Sequence, residues 1–145
     1  MKGLRHVGIV VKDLEKALHF YRDLLGFKQI KKMDEKGSYI DAIYGIKNIE
    51  VTTIKLAADD NNLIELLYFS IGAGKISTIS NLNDTGFSHI SCTVENIVNE
   101  YDRMKKAGVH FISAPQVSFD RYAKVAFCQD PEGNFIELVE VLSKK

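Results

Sequence analysis

The sequence predicts an α+β protein built from two tandem βαβββ modules. Three observations lead there: a histidine-bearing segment that recurs, a glutamate-bearing segment that recurs, and matching helix boundaries between them. Leu4-Arg5-His6-Val7-Gly8-Ile9-Val10-Val11 resembles Phe87-Ser88-His89-Ile90-Ser91-Cys92-Thr93-Val94, which sets His6 and His89 in register 83 residues apart. Asn62-Leu63-Ile64-Glu65-Leu66 resembles Asn134-Phe135-Ile136-Glu137-Leu138, 72 residues further on. A repeat of this length governs the architecture more strongly than any single segment.

Each copy reads strand, helix, then three strands. In module one the strands fall near 4–11, 27–33, 49–57 and 63–69, with a helix at 14–25. In module two they fall near 86–94, 109–113, 122–129 and 134–141, with a helix at 97–107. Leu14, Ala17, Leu18, Tyr21, Leu24 and Leu25 keep helical spacing, as do Ile97, Tyr101, Met104 and Ala107. Asp13 and Asn96 stand at the N-caps, where a short side-chain oxygen accepts from a free backbone N–H. Gly26 and Gly108 stand at the C′ positions, which favour a left-handed backbone. Asp59-Asp60-Asn61-Asn62 and Asp130-Pro131-Glu132-Gly133-Asn134 have turn chemistry leading into each last strand. Residues 70–84 have linker composition, and residues 34–48 are an insertion in which Asp41-Ala42-Ile43-Tyr44 fits one helical turn. The expected organisation is one domain over 1–145, with module one at 1–69 and module two at 85–145. A module of about 65 residues is marginal alone, so the two are expected to bury one face against each other.

Bulk composition narrows the function classes. Across 145 residues, 46% are hydrophobic and 26% charged, ordinary for a globular protein. The formal net charge of zero offers no field for nucleic acid or an anionic membrane. No apolar run reaches the roughly 18 residues of a membrane span, and the first residues lack a signal-peptide core. Two cysteines, Cys92 and Cys128, are too few for a disulfide framework. Cys92 lies in the alternation Ile90-Cys92-Val94 and reads as a buried reduced thiol, so the expected compartment is the cytoplasm.

Strand side chains alternate between faces. His6 shares its face with Leu4, Gly8 and Val10, and His89 with Phe87, Ser91 and Thr93. Glu65 shares its face with Leu63, Leu67 and Phe69, and Glu137 with Phe135, Val139 and Val141. A carboxylate among large apolar side chains is costly unless it is paired or binds a metal. Singly, each of these residues reads more readily as an ordinary core or surface group. Solvent-facing glutamates, with Ile64, Leu66, Ile136 and Leu138 turned to the core, are the competing arrangement. Their recurrence at matched positions makes His6, Glu65, His89 and Glu137 one candidate metal-ligand set. Two imidazoles and two carboxylates suit Zn, Ni, Co, Mn or Fe(II) better than Ca or an iron–sulfur cluster. His19 and His110 lack counterparts in the other module and read as ordinary histidines. Arg121, Tyr122 and Lys124 read as solvated rim residues, with substrate-anion binding as the lesser alternative.

Three segments resemble the vicinal oxygen chelate (VOC) superfamily, which includes glyoxalase I, methylmalonyl-CoA epimerase, extradiol dioxygenases and bleomycin and fosfomycin resistance proteins. They are His6-Val7-Gly8-Ile9-Val10-Val11-Lys12-Asp13-Leu14, Phe20-Tyr21-Arg22-Asp23-Leu24-Leu25-Gly26-Phe27 and Asp130-Pro131-Glu132-Gly133-Asn134-Phe135-Ile136-Glu137-Leu138. The resemblance implies paired βαβββ modules forming a curved, mostly antiparallel eight-stranded sheet around a metal cleft. By position it implies His6, Glu65, His89 and Glu137 as ligands of one divalent ion, in a homodimer. Glu at 65, where epimerases typically carry Gln and extradiol dioxygenases no ligand, leans towards proton transfer at Zn, Ni, Co or Mn. Residues 66–70 lack the Thr and Asn expected beside a glutathione-binding cleft. The 34–48 insertion and the 24-residue step from Glu65 to His89 are more similar to epimerase-like members.

The expected activity is that of a glyoxalase I-like lyase or an acyl-CoA epimerase-like isomerase. Its small-molecule substrate carries adjacent oxygens, as a thioester or hemithioacetal does. A metal-stabilised enediolate forms when a neighbouring C–H is deprotonated, and Glu137 or Glu65 moves the proton. The alternatives are an Fe(II) extradiol-type dioxygenase and a non-catalytic binding or resistance protein.

Overall fold

The structure, a computed structural model, describes residues 2–75 and 81–142. The chain divides into two compact units, Met1–Ile76 and Ser77–Lys145. The first contains β1 (Val7–Val10), α1 (Leu14–Leu18), β2 (Lys28–Lys36), α2 (Ser38–Tyr44), β3 (Glu50–Ala57) and β4 (Leu63–Ile71). The second contains β5 (His89–Thr93), α3 (Ile97–Lys106), β6 (Gln116–Val117), β7 (Ala123–Gln129) and β8 (Phe135–Val141). The eight strands make two four-stranded mixed sheets, ordered β1-β4-β3-β2 and β5-β8-β7-β6. In each, the first strand runs parallel to the last and the other pairings are antiparallel.

The helix ends follow the cap chemistry. Asp13 Oδ1 accepts from Lys16 N at 3.1 Å, and Asn96 Oδ1 accepts from Asn99 N at 3.0 Å. Gly26 and Gly108 have φ of 81° and 88°, the left-handed geometry expected after each helix. The first helix is not α-helical throughout: His19–Leu24 is π-helical, and Leu25 N donates to Phe20 O at 2.9 Å. This wider turn lies where Phe20 and Tyr21 are both buried and meet edge to face at 5.0 Å.

Each sheet buries one face beneath its helix. In the first unit α1 packs on β4, and Ile54, Leu56, Ile64 and Leu66 are nearly inaccessible. In the second, α3 packs on β7 and β8 over Ala126, Cys128, Ile136 and Leu138. Alternation then turns Glu65 and Glu137 to the opposite faces. The opposite face of the first sheet is not bare. The insertion forms α2, two turns where one was expected, and its Ile40 packs with Ile49, Val51, Leu67 and Phe69. Asp41 fixes the return by accepting from Asn48 N at 2.8 Å and Ile49 N at 3.1 Å.

Several sequence expectations need correction. β1 begins at Val7, so His6 immediately precedes the strand instead of lying within it. Strand β2 runs on to Lys36, into the supposed insertion, and β4 runs to Ile71, into the supposed linker. The strand expected at 109–113 is reduced to a bridge between Phe111 and Cys128. His110 O and Ile112 N bond to β7, but Pro115 then interrupts the segment because it has no N–H. Pairing resumes only at Gln116 and Val117. Cys92 is half-buried, whereas Cys128 is the inaccessible thiol, and neither forms a disulfide. Residues 76–80 of the expected linker lie outside the described residues.

Candidate functional site

The pairing registers place the repeated residues identically. In the first sheet Gly8 is the partner of Glu65, and His6 stands two residues before Gly8. In the second, Ser91 is the partner of Glu137, and His89 stands two residues before Ser91. A small residue thus lies beside each glutamate, leaving room for the histidine ring to reach it. The space at Gly8 is tight, since a Cβ there would lie 3.2 Å from Leu67 Cδ1.

The side chains meet as these registers require. His6 Nε2 lies 3.1 Å from Glu65 Oε2, with the two side chains 27% and 13% exposed. His89 Nε2 lies 3.7 Å from Glu137 Oε2, at 34% and 22% exposure. Each pair forms within one unit. Among the described residues, no group of three or more His, Cys, Asp or Glu side chains is assembled to hold a metal ion.

The donor atoms suit a shared cation. An imidazole lone pair and a carboxylate repel unless a proton or a metal ion lies between them. Two N/O ligands at about 2.1 Å from one ion, at angles between octahedral and trigonal, are roughly 3.0–3.6 Å apart. The first pair falls within that span and the second just beyond it. Ser88 Oγ lies 2.7 Å from His89 Nδ1, so it can accept a hydrogen bond from Nδ1–H, which leaves the Nε2 lone pair available to a cation. His6 Nδ1 is buried without a hydrogen-bond partner. Were Nε2 to hold a cation, that orphaned atom would carry the ring proton.

The two His–Glu pairs differ in their other neighbours. Lys55 Nζ lies 3.5 Å from Glu65 Oε1, and Lys55 is itself the cross-strand partner of Glu65. The corresponding partner of Glu137 is Phe127, whose ring meets the His89 ring edge to face at 5.2 Å. Tyr44, on α2, stands edge to face against Phe69 at 5.4 Å. Burial raises its phenol above the usual range, and the charges of Glu65 and Glu35 add to the shift.

Lys55, Phe127, Tyr44 and Ser88 are neighbours that inspection of the sequence missed. The first two were within reach, because the turn closed by Ala58 N on Asn62 O fixes 55 opposite 65. The equivalent turn, closed by Asp130 N on Asn134 O, fixes 127 opposite 137. Lys124 pairs with Glu140 on the α3 side of its sheet, away from the face of Glu137. Arg121 lies in the β6–β7 turn at φ 62°. His19 is exposed against Asp23 at 3.3 Å, and His110 contributes only a backbone carbonyl to β7.

Residues 3–138 match the glyoxalase/bleomycin resistance protein/dioxygenase superfamily. The chain belongs to that superfamily. It is 32% identical over 143 residues to a probable lactoylglutathione lyase of Synechocystis, covering 98% of both chains. It is 31% identical over 143 residues to an ethylmalonyl-CoA/methylmalonyl-CoA epimerase of Cereibacter sphaeroides, covering 95% of this chain and 97% of that one. A glyoxalase family protein from Bacillus cereus superposes with a TM-score of 0.90 at 22% identity, over 99% of this chain and 96% of its own. The superfamily fold is therefore the one these two sheets adopt, as the three sequence segments implied.

Proposed function

We propose that this superfamily member binds one divalent metal ion through His6, Glu65, His89 and Glu137 and moves a proton at a carbon beside an oxygen-bearing carbon of its substrate. The identical register of the two His–Glu pairs supports this most directly, because an isolated ion pair has no reason to recur at the same place in both modules. The ion, when bound, supplies Lewis-acid stabilisation of charge developing on a substrate oxygen. Zn, Ni, Co or Mn suits this N2O2 donor set.

The chain's own groups do the rest. Nε2 of each histidine and an oxygen of its glutamate would hold the ion, and His89 is oriented by Ser88 and the edge of Phe127. A carboxylate oxygen of Glu137 or Glu65 accepts a proton from carbon and returns it to the same or the neighbouring carbon. Proton delivery to the opposite face of the same carbon, with one glutamate accepting and the other donating, is epimerisation; return to the neighbouring carbon is the isomerising step of a lyase such as glyoxalase I. The relatives named for these two activities stand at 32% and 31% identity. The substrate class is a small thioester or hemithioacetal with adjacent oxygens, handled by a cytoplasmic homodimer.

Solvent-deuterium uptake tests the reaction class. Metal-reconstituted protein in D2O is expected to label a 2-acyl thioester or a hemithioacetal at carbon, and Glu137→Gln to lower that rate by at least about a hundredfold. Oxygen consumption with a catechol, without deuterium uptake into either substrate class, would contradict it and favour a dioxygenase.

A further inference from the structure

Glu65 presents its two oxygens to different groups. Oε2 faces His6 Nε2 at 3.1 Å, while Oε1 faces Lys55 Nζ at 3.5 Å. We propose that Lys55 is a positioning residue of the first half-site, holding Oε1, leaving Oε2 as the one ligating oxygen, and competing with the divalent ion for this carboxylate. The proposal rests on the metal reading above.

Lys55 is held in place by the sheet. It lies mid-strand in β3, directly across from Glu65, and its side chain is only 19% exposed. A poorly hydrated ammonium interacts with its neighbours through less screening than a surface lysine does. Its partner on the other side is Lys31, on β2 and on the same face. Like charges directly opposite each other repel, which favours turning the Lys55 ammonium towards Glu65. Glu35, another carboxylate on that face, accepts from the Thr53 hydroxyl at 3.3 Å.

The second module lacks this arrangement. Phe127 occupies the equivalent position and brings an uncharged ring edge to His89 instead. A divalent ion therefore meets a fixed positive charge at one half-site and an apolar wall at the other. Repulsion between the ion and Lys55 weakens binding. A group that merely supported the fold would act in the opposite direction, since its loss would loosen Glu65 and weaken the site.

Titration of the metal-free full-length chain with Co(II), read by absorbance and by competition with a chelator, decides between these. Lys55→Met is expected to tighten Co(II) binding by about tenfold or more, the lower end of what groups flanking metal ligands exert. Lys55→Arg, which keeps the cation, should bind as the wild type does. In a Glu65→Gln background, Lys55→Met should have a smaller effect, because the carboxylate for which it competes is gone and only the direct repulsion remains. Circular dichroism checks folding, with Lys55→Gln as the second charge-removing variant. Wild-type binding with no gain, or with a loss, in folded Lys55→Met or Lys55→Gln would overturn the role of Lys55 alone. No Co(II) binding by the wild type would overturn the metal reading and this proposal together.

Discussion

Glu65 and Glu137 hold the same register position in their sheets yet differ in their surroundings, one beside an ammonium and one beside a phenylalanine. If both ligate one ion, replacing either with Gln removes an anionic ligand. Each variant is expected to lower divalent-metal affinity by at least about tenfold in chelator competition. A second residue-scale expectation concerns Cys128. Burial pushes its thiol from 9.0 up to about 12, with the nearby Cys92 and Asp130 contributing. The folded pKa exceeds the unfolded one, so this group's contribution to stability is fully present below about pH 9. It is lost as pH rises through about 12. Denaturation between those limits should show a shallower loss of stability in Cys128→Ala than in the wild type. The neighbouring Cys92 is half-buried and so should be the first thiol to react with an alkylating reagent in native protein.

Elements whose stability is set locally were legible in the sequence. The helix caps at Asp13 and Asn96 and the glycines at 26 and 108 are short-range chemistry, and they lie where composition placed them. Asn96→Ala should cost about 1 kcal/mol in chemical denaturation, because Asn99 N loses its acceptor. Most strands lie near their expected ranges, but local breaks within them were not legible. The alternation in 109–113 reads as a strand, but Pro115 leaves β7 with a two-residue partner. Nor does helical spacing reveal the π-helical turn at His19–Leu24, where Phe20 and Tyr21 are buried edge to face. Core substitutions are expected to be more severe. Leu66, with no exposed surface, lies between β1 and β3, and Leu66→Ala should cost about 2–5 kcal/mol. The turn into β8 is comparably sensitive. Asp130, 5% exposed, accepts from Glu132 N, Asn134 N and Asn134 Nδ2 at 2.8–3.0 Å. Asp130→Ala should cost about 3 kcal/mol by leaving those donors unpaired.

At the scale of the molecule, three segments made the superfamily readable, and the repeat matched His6 with His89 and Glu65 with Glu137 without showing that each histidine meets the glutamate of its own module. His6 and His89 could be matched by eye, and strand alternation gave their faces. What remained hidden was the asymmetry, since Lys55 and Phe127 align only once the hairpin turns fix the register. The proposal takes one imidazole and one carboxylate from each module, so the proposed ion needs all four residues. The most direct test is metal stoichiometry in the wild type and in His6→Ala, Glu65→Gln, His89→Ala and Glu137→Gln. Equilibrium dialysis with elemental analysis should find one divalent ion per wild-type chain and weakened binding in all four variants. No stoichiometric ion, or undiminished binding after both residues of one module are replaced, would contradict a site shared by the two modules.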